Sequence, residues 1–329
     1  MLAGGPWRAD EVLLHEPVRD RSVTAWHAAI NAVMAGCRPE YFPVVGAALA
    51  AVGDPEFKLH GPATSTGGAA LMVIVNGPVR ESIGLHGGGN LFGPGVRANA
   101  TIGRALRLVL LNCLDCRAGV LDQSTQGWAG KYSFCFAEHE AASPWEPLHV
   151  ARGFRAEQST VTVFAAESGH NVLVHAAREP EIVLVAFADA MAALGSLSPG
   201  RSVIVLAPEH ARYLGLAGWS RVRTQAWLYE HARRPLADLK RAGKVEAQFL
   251  VSDEMRGWLY GSAAGPAADT PDAHARVLPG DETIAVHRGL GPDDVLLCVG
   301  GGAAGGHSAF FPSWSRGRSV PFVTKEIPL

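Results

Sequence analysis

Residues 83–104, IGLHGGGNLFGPGVRANATIGR, contain seven glycines in 22 positions and set the interpretation of the whole chain. An apolar run at 69–75, with the composition of a strand, precedes this stretch, and ALRLVLLN, which has helical character, follows it. A glycine-rich loop between a strand and a helix lets backbone N–H groups approach an anion or a polar small molecule. The stretch therefore predicts an α/β fold with a small-molecule site at this loop.

A second strand followed by glycines lies near the C-terminus, where VLLCVGGGAAGGH spans residues 295–307. From residue 159 onward, apolar strands such as STVTVFAAE and RSVIVLAP alternate with helical segments, and EIVLVAFADAMAALG indicates a strand that merges into a helix. This alternation predicts two α/β lobes, 1–155 and 156–329, with mostly parallel sheets and covering helices. Both glycine loops then follow the C-terminal ends of strands, where ligands bind in open α/β sheets.

Two helices are predicted before the first glycine loop. In the first, Trp26, Ile30, Val33 and Met34 keep helical spacing, and Gly36 stands where a terminating glycine belongs. The second runs from about residue 39 to residue 52. Cys37 would then sit near a helix N-terminus, a position that lowers the pKa of a thiol.

Composition narrows the class of protein. The chain has 329 residues, 48% hydrophobic and 18% charged, with a formal net charge of −2. This balance argues for a sizeable core and against a nucleic-acid or anionic-membrane partner. There is neither a signal-peptide pattern nor an apolar run long enough to span a bilayer. The five cysteines are irregularly spaced, which favours a reducing, cytoplasmic location.

The glycine loops and the helix that follows the first of them supply the predicted substrate-binding residues. Backbone N–H groups and helix caps there would stabilise negative charge on a substrate. Neither G-x-G-x-x-G between strand and helix nor G-x-x-x-x-G-K-[ST] occurs, so no nucleotide fingerprint is supported and the cofactor is unknown. The predicted substrate-binding set is Gly87, Gly88, Gly89, Asn90, Asn99, Thr101, Arg104, Gly301, Gly302 and His307.

Five residues are candidates for catalysis. Cys37 could be a nucleophile, although a buried small residue in a turn between helices is the alternative. Lys131 could bind an anion or a carboxylate, or it could be a solvated lysine in a turn. Glu138, Glu146 and His149 could transfer protons, because such side chains on loops often belong to sites.

The same residues allow two further functions. Glu138, Glu146 and His149 could hold a metal in a hydrolase or lyase, although prolines at 144 and 147 interrupt the helix that would align them. Cys113 and Cys116 have C-x-x-C spacing but no second pair. The chain could also be a non-catalytic substrate-binding subunit of a redox complex.

Three stretches together carry a family resemblance: AINAVMAGCRPEYFPVV at 29–45, GPGVRANATIGRA at 93–105 and SPWEPLHV at 143–150. They resemble bacterial proteins associated with the UGSC motif, in which selenocysteine or cysteine precedes Gly-Ser-Cys. The resemblance implies thiol or selenol redox chemistry and adds weight to a set of residues within or beside these stretches. The set is Cys37, Asn99, Arg104, Glu138, Glu146 and His149.

This chain contains no Cys-Gly-Ser-Cys, so the resemblance implies either a partner protein that carries the motif or a different reaction. The leading hypothesis is a small-molecule enzyme, an oxidoreductase or lyase, that acts on a polar or anionic substrate in a cleft between the lobes. The chain is also expected to form a homo-oligomer, as most such proteins do.

Overall fold

The computed structural model describes residues 1–246, 252–263, 265, 276–317 and 320–329. The strands are β1 (Val12–Glu16), β2 (Arg21–Thr24), β3 (Ala70–Asn76), β4 (Cys135–Ala137), β5 (Thr160–Ala166), β6 (His170–Leu173), β7 (Ser202–Leu206), β8 (Arg233–Pro235), β9 (Ala285–His287), β10 (Val295–Val299), β11 (His307–Pro312) and β12 (Val323–Glu326). The helices are α1 (Ala25–Ala35), α2 (Phe42–Val52), α3 (His60–Thr64), α4 (Val79–Ser82), α5 (Arg97–Asn112), α6 (Leu148–Ala151), α7 (Pro180–Met191), α8 (Pro208–Leu216), α9 (Arg221–His231), α10 (Leu236–Arg241) and α11 (Asp253–Tyr260).

Two four-stranded sheets organise the fold, in the orders β12-β5-β3-β4 and β6-β11-β7-β10. Each has one parallel pair, β3 with β4 and β7 with β10, and two antiparallel pairs. The α/β class is confirmed, but the prediction of mostly parallel sheets is wrong. Residues 300–306, for example, join β10 to β11 by a loop too short for the crossover that parallel pairing needs.

The chain crosses between the two sheets twice. After β5 it leaves the first sheet to form β6 in the second, and after β11 it returns to form β12 at the edge of the first. Strands from the second predicted segment, 156–329, therefore complete the sheet that β3 and β4 begin. The division into lobes at residue 155 stays a prediction.

The sheets stack face to face between two layers of helices. Along β3, Met72 and Ile74 belong to the core between the sheets, whereas Val73 and Val75 belong to the core under α1, α2 and α5. A third core lies between the second sheet and helices α7, α8 and α9. The alternation of side chains along each strand thus supplies one face to the other sheet and one to the helices.

Helix α1 forms as predicted, with Thr24 as its N-cap and Gly36 in the left-handed conformation at its C-terminus. The face that packs on α5 consists mainly of alanines. The apolar side chains that showed helical spacing lie on the opposite face, where Trp26 is 54% exposed and Val33 59%. The oligomeric state stays a prediction.

The segment EIVLVAFADAMAALG contains no strand, contrary to prediction. Helix α7 begins at Pro180 and buries Val183, Leu184 and Phe187, which follow helical spacing. Its β-branched residues favour a strand, but Pro180 at the first helical turn and packing against the second sheet stabilise a helix instead. Among the described helices, none is long and apolar enough to cross a membrane.

Candidate functional site

The carboxyl ends of β3, β4 and β10 meet at one end of the stacked sheets. The Glu138 amide donates to the Val75 carbonyl at 3.1 Å, and the His139 amide donates to the Val299 carbonyl at 2.7 Å. The two glycine loops are joined there as well, because the Gly301 amide donates to the Gly87 carbonyl at 2.9 Å. The structure therefore brings the two predicted glycine loops together.

The glycines at this junction serve different purposes. A Cβ at Gly87 would lie 2.7 Å from the Ala137 carbonyl oxygen, so this position needs glycine for backbone packing. A Cβ at Gly302 would be 3.6 Å from the Cα of Gly89, an ordinary contact. Between these last two residues the loops therefore leave room for about one methyl group.

A cleft of about 510 Å³ opens beside the joined loops, and we call it the loop cleft. Its walls are the loop residues 90–92, residues 128–130 and 133–134, residues 168–171 and the loop residues 300–302, and part of its floor comes from β7 and β11. The volume lies within the range typical of small-molecule sites.

Aromatic rings form the floor of the loop cleft. The Phe92 ring, carried by the first glycine loop, lies 5.3 Å from the Phe311 ring and 5.7 Å from the Phe134 ring in edge-to-face geometry. The Trp128 ring is 5.2 Å from that of Phe134. Phe92 remains 47% exposed, so the cluster presents an open apolar surface.

His307 is the predicted residue in the loop cleft that can carry a proton. Its Nδ1 lies 3.2 Å from the side-chain oxygen of Asn171, which can only accept a hydrogen bond. Nδ1 therefore carries the proton when the ring is neutral, and Nε2 is left as a base. The His175 ring packs edge-on against it at 5.2 Å.

Some predicted binding residues lie in the cleft and others support it. Asn90, Gly301, Gly302 and His307 line it, and Gly89 lies against Gly302. Gly87 joins the loops, as described above, and Gly88 lies against the His86 ring. The remaining three are on α5, outside the lining: Asn99, Thr101 and Arg104.

Asn99 has a structural task. Its side-chain oxygen accepts from the His86 amide at 2.8 Å, and its Nδ2 donates to the His86 carbonyl at 2.9 Å. This pair of bonds holds the first glycine loop to α5. Thr101 instead donates to the Arg97 carbonyl within the helix.

Cys37 lies in the core beneath α1 and α5, where it is 8% exposed, and it does not line the loop cleft. Burial raises the pKa of its thiol, and Thr101 and Arg97 offset this only in part. The expectation that a helix N-terminus lowers this pKa is therefore wrong. The helical turn after Cys37 is too short, and the surroundings too apolar, to favour a thiolate.

Lys131 is held by a buried carboxylate rather than directed at the cleft. Its Nζ lies 2.8 Å and 2.7 Å from the two oxygens of Asp122, which Arg107 also contacts at 3.1 Å. Ser124 donates to the same carboxylate at 2.6 Å. The adjoining cavity measures about 20 Å³, which is room for about one water molecule.

This ion pair predicts a specific loss of stability in acid. Burial alone would raise the pKa of Asp122, but the bonds from Lys131 and Ser124 outweigh it and lower the pKa to about 2 from 3.8. A lowered carboxyl pKa stabilises the fold above the unfolded value, and the contribution disappears as pH falls through the native value. We expect the free energy of unfolding to fall by about 2 kcal/mol as the pH falls from above 3.8 to about 2. This loss should be absent in Asp122→Asn. Urea unfolding from pH 2 to 5 measures it.

The matched control for this prediction is Glu146→Gln, which changes an exposed carboxylate to an amide. Its free energy of unfolding should depend on pH between 2 and 5 as that of the wild-type protein does. If Asp122→Asn also keeps this pH dependence, the ion pair does not cause the loss of stability in acid.

Glu138 and His149 are buried at the end of the sheets, and Glu146 is exposed. The Glu138 carboxylate accepts from Asn76 Nδ2 at 2.5 Å and from the Leu148 amide at 2.7 Å. Burial raises the pKa of Glu138, against the opposing effects of Arg221 and these donors. The three predicted residues are therefore not brought to one accessible surface.

The candidate metal and redox groups are likewise separate. Among the described residues, no group of three or more His, Cys, Asp or Glu side chains is placed to hold a metal ion. Burial raises the pKa of Cys113, and it raises that of Cys116 to about 11. Neither sulfur is activated as a thiolate.

A serine–histidine pair lies behind the loop cleft. Ser308 Oγ is 2.7 Å from His210 Nδ1, and His210 Nε2 is 3.0 Å from the Val174 carbonyl. The contact with α8 places the Ser308 side chain on the helix side of β11. The Phe310 side chain lies on the same side, whereas Phe311 faces the other sheet. Ser308 borders the cleft, but its buried hydroxyl is engaged with His210 and with the Ala207 amide, so the pair braces β11.

Sequence reasoning missed the aromatic residues Phe92, Trp128 and Phe311 and the histidine partner Asn171. The signal for two of them was the aromatic residue within each glycine-containing loop, in NLFGPG and QGWAGK. Phe311 and Asn171 carry no local signal, because their roles depend on the pairing of β11 with β6 and β7.

The chain was compared with known protein families, curated proteins and solved structures, and none of them matches it. The resemblance to UGSC-associated proteins therefore stays a prediction.

Proposed function

We propose that this protein is an enzyme that acts on a small polar or anionic molecule bound in the loop cleft. One observation carries the proposal: two glycine loops, an aromatic floor and an accessible imidazole converge on one cleft of about 510 Å³. Large apolar pockets with a few convergent polar groups are the usual sites of small-molecule chemistry.

His307 is the group that we propose transfers a proton. Asn171 fixes the tautomer, which leaves Nε2 free to accept a proton from a bound molecule. Backbone amides of Gly89 and Gly302, on the two sides of the gap, would stabilise the negative charge that develops. The cleft is lined by the imidazoles of His307 and His170 beside amide donors, and this suits a lyase better than a thiol-dependent redox step, so we assign no step to Cys37.

Turnover tests this proposal. The purified protein is incubated with a mixed small-molecule extract, and mass spectrometry identifies which compounds are consumed. We expect wild type to consume at least one small polar compound, and His307→Gln to slow this by about 10²- to 10⁴-fold, since it removes the base. Gly302→Val, which fills the gap between the loops, should also abolish it.

The control is Gly257→Ala, in α11, where a Cβ meets no atom of the described residues within 4 Å. It should retain full turnover. Turnover that survives in His307→Gln would refute the proton-transfer role, and loss of turnover in a folded Cys37→Ala protein would favour thiol chemistry instead.

A second candidate function is a binding subunit without catalysis. The observation that favours it is that the loop cleft has no Asp, Glu, Lys, Arg or Cys among its described lining residues. Such a subunit would present its ligand to a partner, for which a Cys-Gly-Ser-Cys redox protein remains a proposal. Native mass spectrometry showing a retained ligand, with no turnover by the chain alone, would support this candidate.

A further inference from the structure

The charges around the loop cleft restrict its ligand. The described lining contains no carboxylate that could pair with a cation and no lysine or arginine that could neutralise a phosphate. Multiply charged ligands need such counter-charges, because removing them from water is costly. The ligand of this cleft therefore carries at most one full charge.

The floor of the cleft restricts the shape of that ligand. Phe92, Phe134 and Trp128 present ring edges and faces, and Phe92 remains half-exposed. Aromatic rings pack best on one another in offset or edge-to-face geometry, and this adds to the gain from burying apolar area. A flat, apolar body is the complement of this floor.

Some of the N–H donors around the floor lack acceptors. Among the described residues, none accepts from the amides of Gly89 and Gly302, and the buried Nε1 of Trp128 is also unpaired. Amide and indole N–H groups can only donate. Of these donors the Trp128 Nε1 is buried, so leaving it unpaired is costly, and a carboxylate can accept from several donors at once.

We infer that the loop cleft binds an aromatic monocarboxylate, with its ring on the Phe92 floor and its carboxylate among the donors. This inference rests on the proposed function, because it names the substrate class of the same site. A single carboxylate matches the lack of lysine and arginine in the described lining.

Binding of four probes by ligand-observed NMR tests the inference. Phenylacetate has both features, phenylacetamide lacks the charge, acetate lacks the ring, and phenyl phosphate carries a larger charge. We expect phenylacetate to bind at least about tenfold more tightly than each of the others, a factor that corresponds to about 1.4 kcal/mol. Phe92→Ala should weaken it by about tenfold, and Gly257→Ala should not change it.

Each alternative outcome separates this inference from the proposed function. If phenylacetamide, acetate or phenyl phosphate binds as tightly, and Gly302→Val abolishes that binding, the cleft is a ligand site but the inferred class is wrong. If phenylacetate binding is unaffected by both Phe92→Ala and Gly302→Val, it lies outside the cleft and the inference fails. If no probe binds, the inference fails, while turnover of another compound that depends on His307 would leave the proposed function standing.

Discussion

Replacing Glu138 by alanine is expected to lower the free energy of unfolding by about 3–5 kcal/mol, a value typical of breaking a buried charged network. Glu138 is fully buried at the point where the two sheets meet. Its carboxylate receives hydrogen bonds from Asn76, from the Leu148 amide and from the Val299 amide. One side chain thus links β3, α6 and β10.

The loss is large because the amides of Leu148 and Val299 lose their acceptor together, while Asn76 keeps only its bond to Glu140. Each buried donor without an acceptor destabilises a protein by about 1–3 kcal/mol, and the deleted side chain also leaves a cavity. Water cannot readily replace the carboxylate, because no atom of Glu138 is exposed. The effect is therefore on folding and not on ligand chemistry alone.

The matched control is Glu146→Ala, eight positions along the same segment but exposed. It should change the free energy of unfolding by less than about 0.5 kcal/mol, as most surface substitutions do. Glu138→Gln keeps one acceptor oxygen and the volume, so its loss should fall between the two. Guanidinium unfolding measures all three variants. Equal losses in Glu138→Ala and Glu146→Ala would refute the structural role.

The pH dependence adds a second measurement. Burial raises the pKa of Glu138 above its ordinary value of 4.5. A raised carboxyl pKa stabilises the native state below the unfolded value, and this stability is lost as pH rises through the native pKa. The difference between wild type and Glu138→Ala should therefore shrink as pH increases above about 4.5. A difference that grows with pH would mean that the carboxylate is stabilised in its charged form.

Local patterns in the sequence predicted much of the first half of the fold. Helix α1 begins at its Thr24 cap and ends at Gly36, and α5 follows the glycine loop as expected. These features depend on neighbours in the chain, so capping residues and apolar spacing are sufficient to find them. The convergence of both glycine loops on one cleft also followed from their positions after strands.

Features set by distant contacts could not be predicted. One example is the antiparallel pairing of β11, and another is the placement of β6 in the second sheet and β12 in the first. Both depend on which strands pair, and local sequence patterns do not specify strand pairing. The pKa of Cys37 depends on burial under α1, and the position of Lys131 depends on Asp122. For both residues, contacts with residues distant in the sequence decide the environment, so residue type and local sequence did not predict it.

The high glycine content of residues 83–104 predicts a functional loop, but in the structure only some of these glycines lie near the loop cleft. Gly89 borders the loop cleft, whereas Gly84 and Gly95 have positive φ values that turns require. Gly103 lies inside α5, where a glycine is unfavourable for helix formation. A Cβ there would lie 2.5 Å from the Phe134 amide nitrogen and 2.6 Å from Ser133 Oγ.

Gly103→Ala is therefore expected to destabilise the protein by about 2–3 kcal/mol, although alanine is the better helix former. The added methyl group would push α5 away from the backbone at Phe134, the residue before β4. Gly257→Ala is the matched change inside helix α11, where the added Cβ meets no atom within 4 Å in the part of the chain that the structure describes. It should stabilise the protein by about 0.5–1 kcal/mol. Thermal and urea unfolding of both variants test whether the two substitutions change the free energy of unfolding in opposite directions. A stabilising Gly103→Ala would show that α5 does not need the close approach, and that Gly103 is there for another reason.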